Sequence, residues 1–97
     1  MTKRFIPLRK KVSPVLRKYH VRTCAVFGSF ARGEETKKSD IDFLIDPSSS
    51  MTLFDLVGLQ QDLEDATGRD VDVVTRRSLH PLIKANILRD AMMIYEA

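Results

Sequence analysis

The chain has 97 residues, of which 43% are hydrophobic, and this predicts a single domain over residues 1–97 with one small core. It has no apolar run long enough to span a membrane and no secretory signal at its start, so we expect a cytoplasmic protein without membrane contact. One cysteine and two isolated histidines exclude an internal disulfide and a zinc site built from these residue types.

The formal net charge of +3 conceals an uneven distribution. Residues 1–38 carry eleven Lys or Arg and two Glu, a net charge of +9, whereas residues 39–97 carry five Lys or Arg and eleven Asp or Glu, a net charge of −6. A basic segment can attract ATP, nucleic acid or an acidic partner surface. Direct nucleic-acid binding is not expected, because aromatic residues are not interleaved with the basic ones as a stacking platform for bases.

A helix is predicted at the start of the chain, followed by a buried strand around Cys24. Within the helix, Ser13-Pro14 predicts either a kink or a restart with Ser13 as the cap of a second helix. His20 at the helix end and His80 beside Pro81 are expected at helix termini rather than in a metal site. The apolar stripe of the helix is Leu8, Val12, Val15, Leu16 and Tyr19.

The turn after this strand has the residues of a phosphate-binding turn. Gly28 ends the strand where the backbone must approach a phosphate closely, and Ser29 opens a short helical turn whose N–H groups and hydroxyl can hold the β- and γ-phosphates of a nucleotide. Arg32 either reaches the triphosphate or braces the turn through Asp40 or Asp42, and both alternatives stay open. Lys37 and Lys38 are expected to be mobile loop charges.

A second strand follows with two carboxylates in alternate positions. Asp40 and Asp42 share one face of this strand, and their mutual repulsion weakens the fold unless a cation lies between them. Two carboxylates combined with phosphate oxygens suit Mg²⁺. The segment from Asp70 to Thr75 also alternates, and we prefer Asp72 to Asp70 as a third ligand because we expect Asp72 to lie deeper. Three such carboxylates can hold two metal ions that clamp a phosphoryl displacement.

The rest of the chain completes a predicted α/β (α+β) fold with a mixed sheet flanked by helices. Thr52 and Asp55 predict a capped helix that ends at Gly68, with its buried face formed by Leu56, Leu59, Leu63 and Ala66. A last helix is predicted to begin between Ser78 and Pro81 and to precede a short terminal strand. Its predicted buried residues are Ile83, Ile87 and Ala91, with Leu88 and Met92 alongside.

Residues 26–33 and 39–45 resemble the signature of the minimal nucleotidyltransferases, the smallest members of the DNA polymerase β-like superfamily. The resemblance extends to residues 68–75, similar to the third-carboxylate strand of that family, and to residues 79–95, similar to its closing helix and strand. It implies two Mg²⁺ ions, with Mn²⁺ as a substitute, and ATP as substrate. The implied catalytic and metal-binding residues are Asp40, Asp42 and Asp72, and the implied nucleotide-binding residues are Gly28, Ser29, Arg32 and Ser39.

Many proteins of this family are antitoxins paired with a helical HEPN-type ribonuclease toxin, and some transfer AMP from ATP to a toxin tyrosine. The resemblance therefore implies a metal-dependent protein adenylyltransferase and a HEPN-type toxin as partner. We do not expect a second domain to enclose an acceptor, which favours a macromolecular acceptor that docks over an open site. Two alternatives remain open: a binding module that neutralises its partner by occlusion alone, and adenylylation of a small molecule.

Overall fold

The computed structural model describes residues 3–97, so the first two residues of the predicted domain lie outside the described part. Its four strands are β1 (Thr23–Phe27), β2 (Ile41–Asp46), β3 (Val71–Thr75) and β4 (Met92–Glu96). Its helices are α1 (Ile6–Lys18), α2 (Ser29–Arg32), α3 (Leu53–Thr67) and α4 (Pro81–Asp90), with short 3-10 helices at Lys3–Phe5 and Arg76–Ser78. The predicted order of elements and the α/β fold class are confirmed.

The strands form one mixed sheet in the order β3-β2-β1-β4. β1 is antiparallel to both β2 and β4, whereas β2 and β3 are parallel. This topology brings the end of β1 and the starts of the other three strands to one end of the sheet, because Phe27 pairs with Asp42, Ile41 with Val71, and Val26 with Met92. We call this end of the sheet the acidic end, since it carries Asp42.

One face of the sheet packs against α1 and α3 and forms the main core. Ile41, Phe43 and Ile45 point to this face and are almost completely buried, as the alternation of β2 predicts. The helices contribute their own buried side chains, which are Val12 and Leu16 from α1 and Leu59 and Leu63 from α3. On the opposite face, Leu44 packs with Ala25 and Leu79 in a smaller cluster. Asp42 shares the face of Leu44, so the fold directs its carboxylate away from the main core.

The structure shows a continuous α1, and the predicted restart at Ser13 is therefore wrong. Pro14 lies inside the helix, and the Ser13 hydroxyl donates to the Arg9 carbonyl at 2.6 Å instead of capping a new helix. Val12 and Leu16 on either side of the proline are both buried. Burial of two such side chains, about 1.5–3 kcal/mol each, is enough to offset the roughly 3 kcal/mol that an internal proline costs.

The capping prediction for α3 is confirmed at both ends. Thr52 Oγ1 accepts from the Asp55 amide at 3.2 Å, and Asp55 Oδ2 accepts from the Thr52 amide at 2.9 Å. Gly68 ends the helix in the left-handed conformation with φ 68°.

The predicted burial of α4 is wrong in part. Ile83 is 49% exposed and Leu88 is 38% exposed, and Ile87 is the α4 residue that packs on the Leu44 cluster, joined by Ala91 just beyond the helix. The helix packs on this cluster near its C-terminal end, and Ile83 and Leu88 lie outside the contact. Met92 begins β4 rather than extending the helix. His80 caps α4 through Nδ1, which accepts from the Leu82 amide at 3.1 Å, in agreement with its predicted place.

No helix within residues 3–97 combines the length and the apolar character needed to cross a bilayer.

Candidate active site

Gly28 forms a tight turn directly against the carboxylate of Asp42. Its backbone has φ 71° and ψ −149°, a conformation that residues with a side chain rarely adopt. A Cβ atom at this position would collide with Asp42 Oδ2. Only glycine therefore allows the end of β1 to lie this close to the carboxylate on β2, and the two sequence motifs meet at one point.

Asp42 and Asp72 face each other across the parallel pair β2–β3. They are direct register partners, so their side chains leave the same face of the sheet, and Asp40 lies one residue before β2. Partial burial raises the pKa of Asp42, and the charges of Asp72 and Asp40 raise this pKa further. The guanidinium of Arg32 lowers the same pKa. The three predicted carboxylates therefore lie close enough to repel one another, and Arg32 lies close enough to oppose this repulsion.

The sequence predicted that Asp72 lies deep in the fold, and this is wrong. Its place beside Asp42 agrees with the predicted group of three carboxylates. Asp72 is exposed, as are Asp70 and Asp40, whereas Asp42 is half-buried. β3 is an edge strand, and its side chains alternate between Val71, which is buried in the main core, and Asp72, which points to the opposite face. Register distinguishes the two candidates instead: Asp72 is paired with Asp42, whereas Asp70 precedes the strand and its carbonyl accepts from the Ile41 amide at 3.0 Å.

The donor set fits Mg²⁺. Within residues 3–97, no three Asp, Glu, His or Cys side chains form a ready-made cage for a metal ion. Mg²⁺ does not require such a cage, because it is commonly held by one or two carboxylates, water and substrate phosphates. Asp42, Asp40 and Asp72 can supply hard oxygen ligands, and a cation bound between them would offset the burial and repulsion that raise the pKa of Asp42.

The short helix α2 is fixed from outside by Arg4, a contact that sequence reasoning missed. Arg4 Nη2 donates to the carbonyl of Phe30 at 3.2 Å and to that of Ala31 at 2.7 Å. The guanidinium also fills the space where Gly33 lacks a side chain, at φ 73°. Arg4 therefore acts as a C-terminal cap for the helix that begins at Ser29. Arg4 is 26 and 27 residues from its two partners, so no pattern within one element could predict this contact.

Arg69 holds the loop between α2 and β2 in a similar way. Its Nη1 donates to the carbonyls of Thr36 at 2.7 Å and Ser39 at 3.1 Å, and its Cζ lies 5.0 Å from the centre of the Phe30 ring. The Ser39 hydroxyl accepts from the Thr36 amide at 2.8 Å. Ser39 therefore closes the loop that presents Asp40, and its part in nucleotide binding stays a prediction.

Arg32 is braced, but not by the residues that the sequence suggested. Its Nε donates to Glu34 Oε2 at 3.1 Å, and its Nη1 donates to Asp90 Oδ2 at 3.1 Å. Asp40 and Asp42 are not its hydrogen-bond partners in the described structure, so that alternative is wrong. Contact of Arg32 with a triphosphate stays a prediction.

The glycine turn packed against one carboxylate of a pair, at the end of a small mixed sheet, agrees with the nucleotidyltransferase resemblance of the sequence. Residues 10–97 match the family "Polymerase beta, Nucleotidyltransferase", and the chain belongs to this family. The expected family is confirmed.

Two relatives cover most of the chain. A protein of Methanocaldococcus jannaschii, named as a candidate protein adenylyltransferase, is 42% identical over 85 residues, or 88% of this chain and 91% of the relative. The protein adenylyltransferase MntA of Thermococcus cleftensis is 35% identical over 77 residues, or 79% of this chain and 78% of that protein.

Two solved structures share the fold. One, described as a candidate minimal nucleotidyltransferase, is similar with a TM-score of 0.76 at 34% identity, over 89% of this chain and 88% of the other. A complex of a tri-AMPylated Shewanella oneidensis HEPN toxin with an MNT antitoxin is similar with a TM-score of 0.70, over 92% of this chain and 70% of the other. At 21% identity, the second likeness shows the fold alone.

Proposed function

We propose that this protein is an antitoxin that transfers AMP from ATP to a tyrosine hydroxyl of a HEPN-type ribonuclease toxin, in the cytoplasm where ATP is available. The observation that carries the proposal is the half-buried Asp42, packed against Gly28 and paired with Asp72. A relative named for protein adenylyltransferase activity supports AMP transfer to a protein. The fold shared with an MNT antitoxin, in complex with a tri-AMPylated HEPN toxin, supports the partner class. Tyrosine as the acceptor follows from the family resemblance.

In this mechanism Asp40, Asp42 and Asp72 would hold two Mg²⁺ ions, with Mn²⁺ as a substitute. Bound metal ions would supply the charge that lowers the pKa of the acceptor hydroxyl and stabilises the α-phosphate and the leaving pyrophosphate. Gly28 allows a phosphate to approach the backbone, and the Ser29 hydroxyl and the Arg32 guanidinium bind the triphosphate.

The chemical step joins the acceptor oxygen to the α-phosphorus of ATP. The bond between the α-phosphorus and the oxygen that bridges to the β-phosphate breaks, and pyrophosphate leaves. Asp72 accepts the proton of the acceptor hydroxyl, because its carboxylate is exposed and lies beside Asp42. The exposure of Asp40 and Asp72 leaves the site accessible to a hydroxyl on a separate macromolecule.

Mass spectrometry of the partner tests this proposal directly. Incubation of the protein with its partner toxin, ATP and Mg²⁺ should add about 329 Da to the toxin for each AMP, with tyrosine as the modified residue. The Asp40→Ala/Asp42→Ala variant should leave the toxin unmodified and active. A toxin that remains unmodified in the presence of wild-type protein contradicts the proposed transfer.

Inhibition by binding alone is the second candidate function. It is favoured by an exposed apolar surface at the start of α3, where Leu53 is 75%, Phe54 88% and Val57 65% exposed. Exposed contiguous apolar residues are typical of protein-binding surfaces. This candidate predicts an unmodified toxin that the Asp40→Ala/Asp42→Ala variant inhibits as well as the wild type does.

A further inference from the structure

Asp90 lies at the acidic end of the sheet although it belongs to an element with no predicted role in nucleotide binding. It is the last residue of α4, and one residue, Ala91, separates it from β4. Because Met92 pairs with Val26 near the end of β1, the chain returns to the phosphate-binding turn at this point. Asp90 Oδ2 accepts from Arg32 Nη1 at 3.1 Å across a separation of 58 residues.

The contact fixes Arg32 in one orientation. Glu34 accepts from Nε and Asp90 accepts from Nη1, so carboxylates hold two of the three nitrogens of the planar guanidinium. The Nη2 group has no hydrogen-bond partner within residues 3–97. Arg32 is the last residue of α2, which begins at Ser29, and its side chain is 45% exposed. The Nη2 nitrogen is therefore available to a further anion.

Glu34 cannot provide this orientation as well as Asp90 does. Glu34 is only two residues from Arg32, so it belongs to the same turn and moves with it. Its side chain is 64% exposed and is not held by packing. Asp90 is 35% exposed and lies between α4 and β4. The neighbouring residues Ile87 and Ala91 pack on the Leu44 cluster and so attach this segment to the sheet. Within residues 3–97, the bond to Asp90 is the hydrogen bond that connects the guanidinium to an element outside its own turn.

We propose that Asp90 is a positioning residue for nucleotide binding: it holds Arg32 so that the free Nη2 side of the guanidinium meets the triphosphate of ATP. The inference rests on the proposed function, because it requires ATP as the ligand. Without Asp90, the Arg32 side chain can adopt other orientations. ATP binding must then bear the entropy cost of fixing this side chain, which lowers the affinity. The contribution is modest because both side chains are partly exposed.

Isothermal titration calorimetry with AMP-PNP and Mg²⁺ tests the inference without the transfer reaction. Asp90→Ala should weaken binding about three- to tenfold, and Asp90→Glu, which keeps the carboxylate, should recover part of the loss. Asp62→Ala is the matched control: it removes a similar bridge, from Lys18 Nζ to Asp62 Oδ2 at 3.0 Å, on helices α1 and α3, and should leave the affinity unchanged. Asp90→Asn is the second variant if Asp90→Ala does not fold, with the fold checked by thermal melts.

A double-mutant cycle separates positioning from a general structural role. Arg32→Ala should weaken AMP-PNP binding by itself, and Asp90→Ala should cause no further loss in the Arg32→Ala background. Equal losses in both backgrounds, an unchanged affinity of Asp90→Ala, or tighter binding by Asp90→Ala would each overturn the inference. Failure of the wild type to bind AMP-PNP with Mg²⁺ contradicts the proposed function itself, and the inference falls with it.

Discussion

Asp42 is the residue at which stability and function conflict. Partial burial is the largest cause of its raised pKa, followed by the charges of Asp72 and Asp40. A carboxyl group whose pKa is higher in the folded than in the unfolded state binds its proton more tightly when folded. Its ionisation therefore lowers the stability of the fold above the folded pKa, and this loss disappears below the unfolded value of about 3.9. The metal-free protein holds an unfavourable charge where the proposed nucleotide chemistry requires one.

Asp42→Asn should therefore raise the free energy of unfolding of the metal-free protein at pH 7. The gain should shrink as the pH falls through the raised pKa towards about 3.9, where the wild-type carboxyl is neutral as well. Urea denaturation of both proteins across this pH range measures the difference. Asp46→Asn, at the other end of β2, is the matched control and should show no comparable gain. A variant less stable than the wild type at pH 7 would contradict the repulsion that we describe.

The same variant should lose stabilisation by Mg-ATP. Ligand binding to the folded state raises the melting temperature, so the wild type should melt higher with Mg-ATP and Asp42→Asn should respond much less. Equal shifts in the two proteins would remove Asp42 from the proposed metal site.

At the scale of elements, the site depends on a helix too short to be stable by itself. α2 has four residues, and an isolated helix of this length does not form in water. Arg4 from the start of the chain and Arg69 from the segment before β3 hold α2 and the loop after it through backbone carbonyls. The position of Ser29 therefore depends on side chains outside both sequence motifs.

Arg4→Ala should lower AMP transfer about 10- to 100-fold, because a displacement of the turn by a fraction of an ångström misaligns the phosphate-binding groups. Its effect on global stability should be small, since Arg4 is exposed. Arg9→Ala is the matched control, as it removes an exposed arginine of α1 and should leave transfer unchanged. Transfer rates and amide exchange of residues 29–33 measure the two effects. Similar transfer by Arg4→Ala and Arg9→Ala would show that the Arg4 contacts are not required.

At the scale of the whole molecule, local patterns predicted the elements and distant contacts were missed. Period-two alternation assigned Asp42 and Leu44 to the same face, and the Thr52 cap located the start of α3. The contact between Arg32 and Asp90 joins residues 58 apart, and a pattern within one element carries no information about such a pair. The exposure of Asp72 and Ile83 was missed for a related reason: it depends on which elements cover each face of the assembled sheet, and no pattern within one element shows this.

Phe43 links the core to the site and supports our last prediction. It is completely buried between α1, α3 and the sheet, and its neighbour in sequence is Asp42. Phe43→Ala should lower the free energy of unfolding by about 3–5 kcal/mol, a large share of the roughly 5–15 kcal/mol typical of a small domain.

Phe54→Ala is the control for this prediction, because the same atoms are removed from a side chain that is 88% exposed. It should change the free energy of unfolding by less than about 0.5 kcal/mol. Chemical denaturation of both variants gives the comparison. A loss in Phe43→Ala no larger than that in Phe54→Ala would mean that β2, the strand that carries Asp42, is not the centre of the core.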